Sequence, residues 1–268
     1  MDKLSHLKTI LASCPSALVA YSGGVDSTFL AVMAHQVLGD KVLMVTAISP
    51  TYPEDQLDEA RAIAAQFGFQ HQVIHTHEFD EPEFVANPPD RCYYCKLSLL
   101  KDLRRLADEK GLKEILEGSN VDDLSDYRPG HRAVIEVGVR SPLREAGLTK
   151  ADIREFSKQM GLTTWNKPAY ACLASRVPYG APITPEILQR IDQAEKYLHS
   201  LGFMEVRVRD HFPVARVEVG KEQMDRAWER RSLIAEKLHG IGYPYVTLDL
   251  DGFRSGSMNA GLKESGLA

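Results

Sequence analysis

Ser22-Gly23-Gly24-Val25-Asp26-Ser27 packs two glycines, two hydroxyls and a carboxylate into six residues, a composition suited to holding an anion. The glycines let the backbone turn tightly and approach a ligand without a Cβ in the way, while hydroxyls and the amides of a following helix start donate to phosphate oxygens. A Walker A loop ends in Gly-Lys-Ser/Thr, with the lysine reaching the β and γ phosphates, and no lysine stands here, so that loop is excluded. The plainer alternative is a tight strand-to-helix turn with a Ser or Asp cap. A second candidate is Gly118-Ser119-Asn120-Val121-Asp122-Asp123. Gly118, Asn120 and Asp123 are expected at a nucleotide, and the Asp122 and Asp123 carboxylates are expected at Mg²⁺, against the alternative of a solvated Asx turn.

The cysteines are the third group. Arg91-Cys92-Tyr93-Tyr94-Cys95-Lys96 sets two thiols three apart at an expected helix start, where the helix dipole and the flanking Arg91 and Lys96 favour thiolate. Cys172 stands in Lys167-Pro168-Ala169-Tyr170-Ala171-Cys172-Leu173-Ala174-Ser175-Arg176. A structural zinc site wants four ligands, and there is no second C-x-x-C to supply them. Three thiolates suit a 4Fe-4S cluster with one iron left open, where an extra sulfide could ride. Buried structural cysteines are the alternative, and Cys14, beside Pro15, is read as inert.

Regular elements must carry these groups. Apolar runs at Ala17 to Tyr21, Lys41 to Ile48, His71 to His75 and Glu114 to Glu117 read as short buried strands. Helical patterns alternate with them at Asp26 to Leu38, Pro53 to Phe67 and Lys96 to Glu109, and a Thr-x-x-Asp box opens a further helix from Thr149 to Met160. The fold class is α/β, a doubly wound parallel sheet, with ligand loops at the carboxyl edge of the strands. From Gly180 the texture changes to helix Pro185 to Leu201, strands Met204 to Arg209 and Val214 to Val219, helix Lys221 to His239 and strand Tyr245 to Leu250. This predicts domains at 1–178 and 179–268, the second a smaller α+β domain. Arg207 and Arg209 share one strand face there. With Arg254, bracketed by glycines in Gly252-Phe253-Arg254-Ser255-Gly256, they are candidates for gripping a substrate phosphate through guanidinium forks.

Composition sets the limits. A chain of 268 residues with 44% hydrophobic and 26% charged residues can bury one sizeable core and a smaller one. A net charge of -5 argues against a protein whose main task is to coat nucleic acid. No apolar run approaches the roughly 18 residues of a membrane span, and the first residues lack a signal-peptide core, so a cytoplasmic location with no membrane partner is expected. Four cysteines are too few for a disulfide framework in a chain of this size.

Ser-Gly-Gly-x-Asp-Ser after a buried strand resembles the PP-loop of the ATP pyrophosphatase superfamily, and the Asn-x-Asp-Asp of 120–123 and the Lys-x-x-Ile-Arg of Lys150 to Arg154 are similar to segments of its members. The resemblance implies an adenine nucleotide alpha hydrolase-like fold that grips the β and γ phosphates as a leaving pyrophosphate and passes AMP to a substrate oxygen, with Asp26 in a catalytic role. Over nearly the whole chain, through Ser22 to Ser27, Gly118 to Asp123, Ala171 to Arg176 and Gly252 to Gly256, the sequence resembles the LarE family of ATP-dependent sulfur transferases. That resemblance implies an enzyme that adenylylates a pyridinium biscarboxylic acid mononucleotide and replaces AMP by sulfur, during nickel-pincer nucleotide biosynthesis. Cofactors implied are ATP, Mg²⁺ and a 4Fe-4S cluster; Ser175, Arg176 and Glu195 would line the substrate site. Some members give up the sulfur of one cysteine and end as dehydroalanine, whereas others hold a cluster on three. Cys92, Cys95 and Cys172 fit the second kind, and sacrifice of Cys172 stays open beside it. A homo-oligomer and a downstream nickel-inserting enzyme are the expected partners. The competing readings are a PP-loop tRNA thiolase, another adenylylating synthetase and, from a different class, a non-catalytic ATP-binding regulatory module.

Overall fold

The computed structural model describes residues 2–51, 54–125, 129–167 and 171–254. Pro53, expected to open a helix, and Ser255 and Gly256 of the C-terminal glycine motif lie outside them. The chain divides into two compact units, residues 1–81 with 90–170, and residues 82–89 with 171–268.

The first unit runs α1 Lys3–Ala12, β1 Ala17–Ala20, α2 Val25–Leu38, β2 Val42–Ile48, α3 Glu54–Phe67 and β3 His71–His75. After α4 Pro82–Val85, which belongs to the second unit, it resumes with α5 Arg91–Glu109, β4 Glu114–Leu116, α6 Gly130–Val137, α7 Pro142–Glu145 and α8 Lys150–Gln159. The four strands form one sheet in the order β3-β2-β1-β4, every neighbouring pair parallel. Parallel strands need covering on both faces, which explains their continuous apolar runs. Alternate residues point to opposite faces. Ala17, Val19, Val42 and Met44 therefore pack with α1, α2, α3 and α8, while Leu18, Leu43, Val45 and Ile115 pack with Leu100 and Leu103 of α5 and Ala133 and Val134 of α6. Helices on both faces of a parallel sheet give the doubly wound α/β class expected from the strand-helix alternation.

Local sequence explains the boundaries. In α8, Thr149 accepts from the Asp152 amide while the Asp152 carboxylate accepts from the Thr149 amide, the reciprocal box that the Thr-x-x-Asp spacing predicts. A hydrogen bond from Lys3, with those from Thr149, pulls the Asp152 carboxyl down to about 2. Helix α5 begins at Arg91 rather than Lys96, so Cys92 and Cys95 both lie in its opening turns. Helices α1, α4, α6 and α7 are additional; Asp2, whose side chain accepts from the Ser5 amide, is a capping signal for the first of them.

The second unit holds α4, α9 Pro185–Ser200, β5 Val206–His211, β6 Val214–Val219, α10 Met224–Glu229, α11 Arg231–Ile241 and β7 Tyr245–Leu248. Strand β6 is central, antiparallel to β5 and parallel to β7. Val206, Val208, Ala215, Val217 and Val219 meet Ala194 and Leu198 of α9 and Leu238 of α11 in one core. Residues 82–89 join this unit through Asn87, whose buried side-chain amide donates to the carbonyls of Pro178 (2.7 Å) and Ala181 (2.9 Å). The single helix expected from Lys221 to His239 is instead a 3₁₀ turn and two helices divided at Arg230. Neither glycine nor proline marks the break.

Candidate functional site

Strand β1 delivers Ser22 to the carboxyl edge of the sheet, and the chain turns there into α2. Gly23 sits at φ 69°, a left-handed conformation, and a Cβ there would come within 3.2 Å of the Ala60 Cβ. Gly24 caps the helix without a side chain, which leaves the positive end of the α2 dipole facing the turn. The Ser27 hydroxyl braces the turn from inside: it accepts from the Ser22 amide (3.2 Å), shares a hydrogen bond with the Ser22 hydroxyl (3.0 Å) and donates to the Gly24 carbonyl (3.3 Å). The turn from Ser22 through Val25 to Ser27 is therefore pre-shaped.

The second loop lies against it. A Cβ on Gly118 would sit 3.1 Å from the Ser27 amide nitrogen and 3.3 Å from the Asp26 carbonyl carbon, so any larger residue would have to push this backbone aside by a few tenths of an ångström. In that loop the Asn120 amide donates to Asp123 (2.9 Å) and the Asp122 amide donates to the Asn120 side chain (2.9 Å), an Asx-type turn. Lys150 ties both loops together: its ammonium lies 2.5 Å from Asp26, and its amide donates to Asp122 at 2.8 Å. Lys167 adds a second ammonium behind the turn, donating to the Gly23 carbonyl (3.2 Å) and pairing with Glu59 (2.5 Å). Beneath the second loop, buried Glu117 accepts from Lys96 (2.8 Å) and Ser141 (2.5 Å). Burial alone would raise the Glu117 carboxyl, but the Lys96 charge and these hydrogen bonds hold it below its ordinary 4.5. A cavity of about 210 Å³ opens beside the turn, lined among others by Tyr21, Ser22, Ala47, Glu78, Cys95 and Leu99.

In the second unit the buried arginines, Arg176 and Arg209, are engaged with carboxylates. Arg176 is 1% exposed and forms a two-pronged pair with Glu195 (3.0 and 2.8 Å), while its remaining arm donates to the carbonyls of Ala171 (2.6 Å) and Cys172 (3.0 Å) and to the Ser175 hydroxyl (3.0 Å). Glu195 also accepts from the Val208 amide (2.9 Å), which links the Cys172 turn to β5. Arg209 repeats the pattern with Glu218 (3.0 and 2.8 Å) and donates to the Ser175 carbonyl (3.2 Å). The charged strand face expected to meet a ligand is therefore partly interior: Arg209 and Glu218 are buried, whereas Arg207 is half-buried over the Phe253 ring. Arg254 is half exposed and pairs with Asp251 at 2.9 Å.

Comparison with known proteins places this geometry. A family model described as NAD synthase matches residues 5–83, the stretch that holds β1, the glycine turn and α2. An uncharacterised protein of Synechocystis sp. is 44% identical over 260 residues, 96% of this chain and 97% of that one. Pyridinium-3,5-bisthiocarboxylic acid mononucleotide synthase of Lactiplantibacillus plantarum is 38% identical over 267 residues, 99% of this chain and 97% of the other. The chain belongs to this synthase family, the LarE family. A more distant relative, an uncharacterised protein of Methanocaldococcus jannaschii, is 27% identical over 238 residues, 89% of this chain and 90% of that one.

As a LarE-family chain it is a PP-loop, ATP-using enzyme, and its cysteines can be examined in that light. No disulfide joins the four. Cys14 is buried, and burial pushes its thiol up, in keeping with an inert group. Cys92 is exposed and Cys95 half-buried, one helical turn apart, so these two thiols can share a ligand on one face of α5. Cys172 is exposed and belongs to the second unit. Among the described residues no group of three or more His, Cys, Asp or Glu side chains is gathered as a metal site. Thiolates are the donor type an iron-sulfur cluster takes, and Cys92 and Cys95 have the spacing to share one. Lys96, expected to act on these thiols, turns instead to Glu117. Among the described residues no helix is long and apolar enough to cross a membrane. Sequence reasoning missed Lys167, Glu117 and Glu78; the carboxyl-edge rule, applied to the residues just after β3 and β4, carried the signal for the last two.

Proposed function

We propose that this enzyme adenylylates a carboxylate of a pyridinium biscarboxylic acid mononucleotide and then exchanges AMP for sulfur. The observation that carries the reading is the braced glycine turn at the start of α2, abutted by Gly118 and flanked by Lys150 and Lys167. A helix start of this kind suits a departing diphosphate. The substrate carboxylate attacks the α phosphorus, the bond to the β-phosphate oxygen breaks, and pyrophosphate leaves on Ser22 to Ser27. A sulfur nucleophile then attacks the acyl carbon and AMP departs with the oxygen, giving a thiocarboxylate.

Mg²⁺, held by Asp122 and Asp123 with Asp26 near the phosphates, belongs to the same proposal, although these carboxylates also serve the turns described above. Arg207 and Arg254 are the arginines proposed for the mononucleotide phosphate. Arg176, Glu195 and Arg209 serve by shaping the Cys172 and Ser175 segment from behind. A 4Fe-4S cluster on Cys92, Cys95 and Cys172 would supply a sulfide on its open iron; sacrifice of Cys172, leaving dehydroalanine, is the other source. A homo-oligomer in the cytoplasm that passes its product to a nickel-inserting enzyme completes the reading.

The test uses α-labelled and γ-labelled ATP with the pyridinium substrate. AMP and pyrophosphate are expected, and Asp26→Ala or Ser27→Ala should abolish both; ADP with orthophosphate as sole products would overturn it. An iron and labile-sulfide count on protein purified without oxygen, repeated on Cys92→Ala, decides the sulfur source: full thiolation by a Cys92→Ala variant lacking iron removes the cluster.

A further inference from the structure

We infer that Glu78 reads the base of the nucleotide, accepting a hydrogen bond from the exocyclic amine of adenine and so selecting ATP among nucleoside triphosphates. The inference rests on the reading of the first unit as the nucleotide site. Glu78 follows β3 at the carboxyl edge of the sheet, is only 3% exposed and lines the cavity beside the glycine turn. Its Oε1 accepts from the Thr51 hydroxyl (3.2 Å), which is itself hydrogen-bonded to the Ser49 hydroxyl (2.7 Å). Its other oxygen, Oε2, is buried and has no hydrogen-bond partner among the described residues. A buried carboxylate oxygen without a donor is costly, and a carboxylate can only accept. Glu78, which lines the cavity, is therefore one donor short, and a ligand there is a group that can bring it.

Three features say which donor. The cavity walls near Glu78 are apolar, Ala20, Val45, Ala47, Leu99 and Leu103, and suit the flat face of a base better than a phosphate or a charged group. At about 210 Å³ the cavity is smaller than the roughly 300 to 1,000 Å³ of a whole-ligand pocket, so it takes one end of a longer molecule. The sheet order puts β3 two strands from β1, and at about 4.8 Å per strand the carboxylate stands roughly 10 Å across the sheet from the phosphate turn. A carboxylate repels phosphate oxygens and the oxygen of a 6-oxo purine alike, whereas the 6-amino group of adenine presents N–H donors there. Thr51, itself bonded to Ser49, holds Oε1 of the Glu78 carboxylate and leaves Oε2 for the ligand.

The test compares ATP with purine riboside triphosphate, which lacks the 6-amino group and adds no bulk. Pyrophosphate release by the full-length protein with the pyridinium substrate is followed for both nucleotides in the wild type and in Glu78→Leu. The expected result is a wild-type kcat/KM at least tenfold higher for ATP, as loss of a hydrogen bond to a charged acceptor implies, and a ratio near one in Glu78→Leu. A wild-type ratio near one overturns the proposal whether or not the variant folds, and so does a preference for ATP that survives in Glu78→Leu. Equal use of the two nucleotides with pyrophosphate release leaves the nucleotide site standing and removes only the role of Glu78. Failure of the wild type to release pyrophosphate from either removes the nucleotide reading and this inference together.

Discussion

The two units stabilise their functional segments by opposite means. In the first, the proposed anion site is made from backbone: a left-handed glycine, a helix start and a serine brace, with the charged pairs Lys150–Asp26 and Lys167–Glu59 partly solvated around it. In the second, the turn after Cys172 is held by side chains, through the buried pairs Arg176–Glu195 and Arg209–Glu218. Backbone devices leave their polar groups turned toward a ligand. Buried ion pairs consume theirs on each other, and in return fix where a neighbouring segment lies. The first unit is thus built to receive charge and the second to hold position.

The largest expected effect tests that contrast directly. Glu218 is wholly buried and also pairs with Arg216 (3.1 Å), so Arg209→Ala strips it of its two-pronged partner without leaving it uncompensated and should cost about 3 kcal/mol in urea unfolding. Replacing both partners by apolar residues, as in Arg209→Met with Glu218→Leu, should recover most of that loss; a cost below about 1 kcal/mol for the single change would break the comparison. Next, Gly118→Ala drives a Cβ onto the backbone of Ser27 and Asp26. It should cost about 1 to 3 kcal/mol and reduce pyrophosphate release at least tenfold, whereas unaltered turnover would mean that the two loops need not touch.

A pH experiment sharpens the description of the first unit. The Glu117 carboxyl is held below 4.5 in the folded chain, so its contribution is complete above that pH and disappears as pH falls through the folded value. Glu117→Gln should therefore cost about 1 to 3 kcal/mol near neutrality. The gap to the wild type should close on acidification below pH 4.5; a gap that widens would reverse the assigned sign. The smallest effect belongs to Arg254. It is half exposed and, among the described residues, paired with Asp251, so Arg254→Ala should change stability by no more than about 0.5 kcal/mol, and any functional change should appear in KM for the mononucleotide.

The same contrast decides what could be read without coordinates. The glycine turn, its flanking strand and helix and the Thr149 box were legible because each depends on residues adjacent in the chain. Arg209 could be assigned to a strand face from the alternation of β5, but its burial depends on Glu218 of β6 and on the Ser175 carbonyl, partners that spacing does not reveal. Lys96 illustrates the same limit: beside Cys95 in sequence, it turns to Glu117 on the end of another strand. The sequence pattern puts the start of α5 at Lys96 although Asp90, a common capping residue, stands before Arg91; in the fold Asp90 makes no side-chain cap. For Glu78 the carboxyl-edge rule marked only the place after β3; its unpartnered oxygen is seen only in the folded chain.

Arg176 grips the carbonyl oxygens of Ala171 and Cys172, main-chain atoms on either side of the Cys172 α-carbon. An anchor made in that way is blind to what hangs from the α-carbon. The peptide would keep its course with an alanine, a serine or an unsaturated remnant in that place, so the scaffold can outlast the loss of its sulfur.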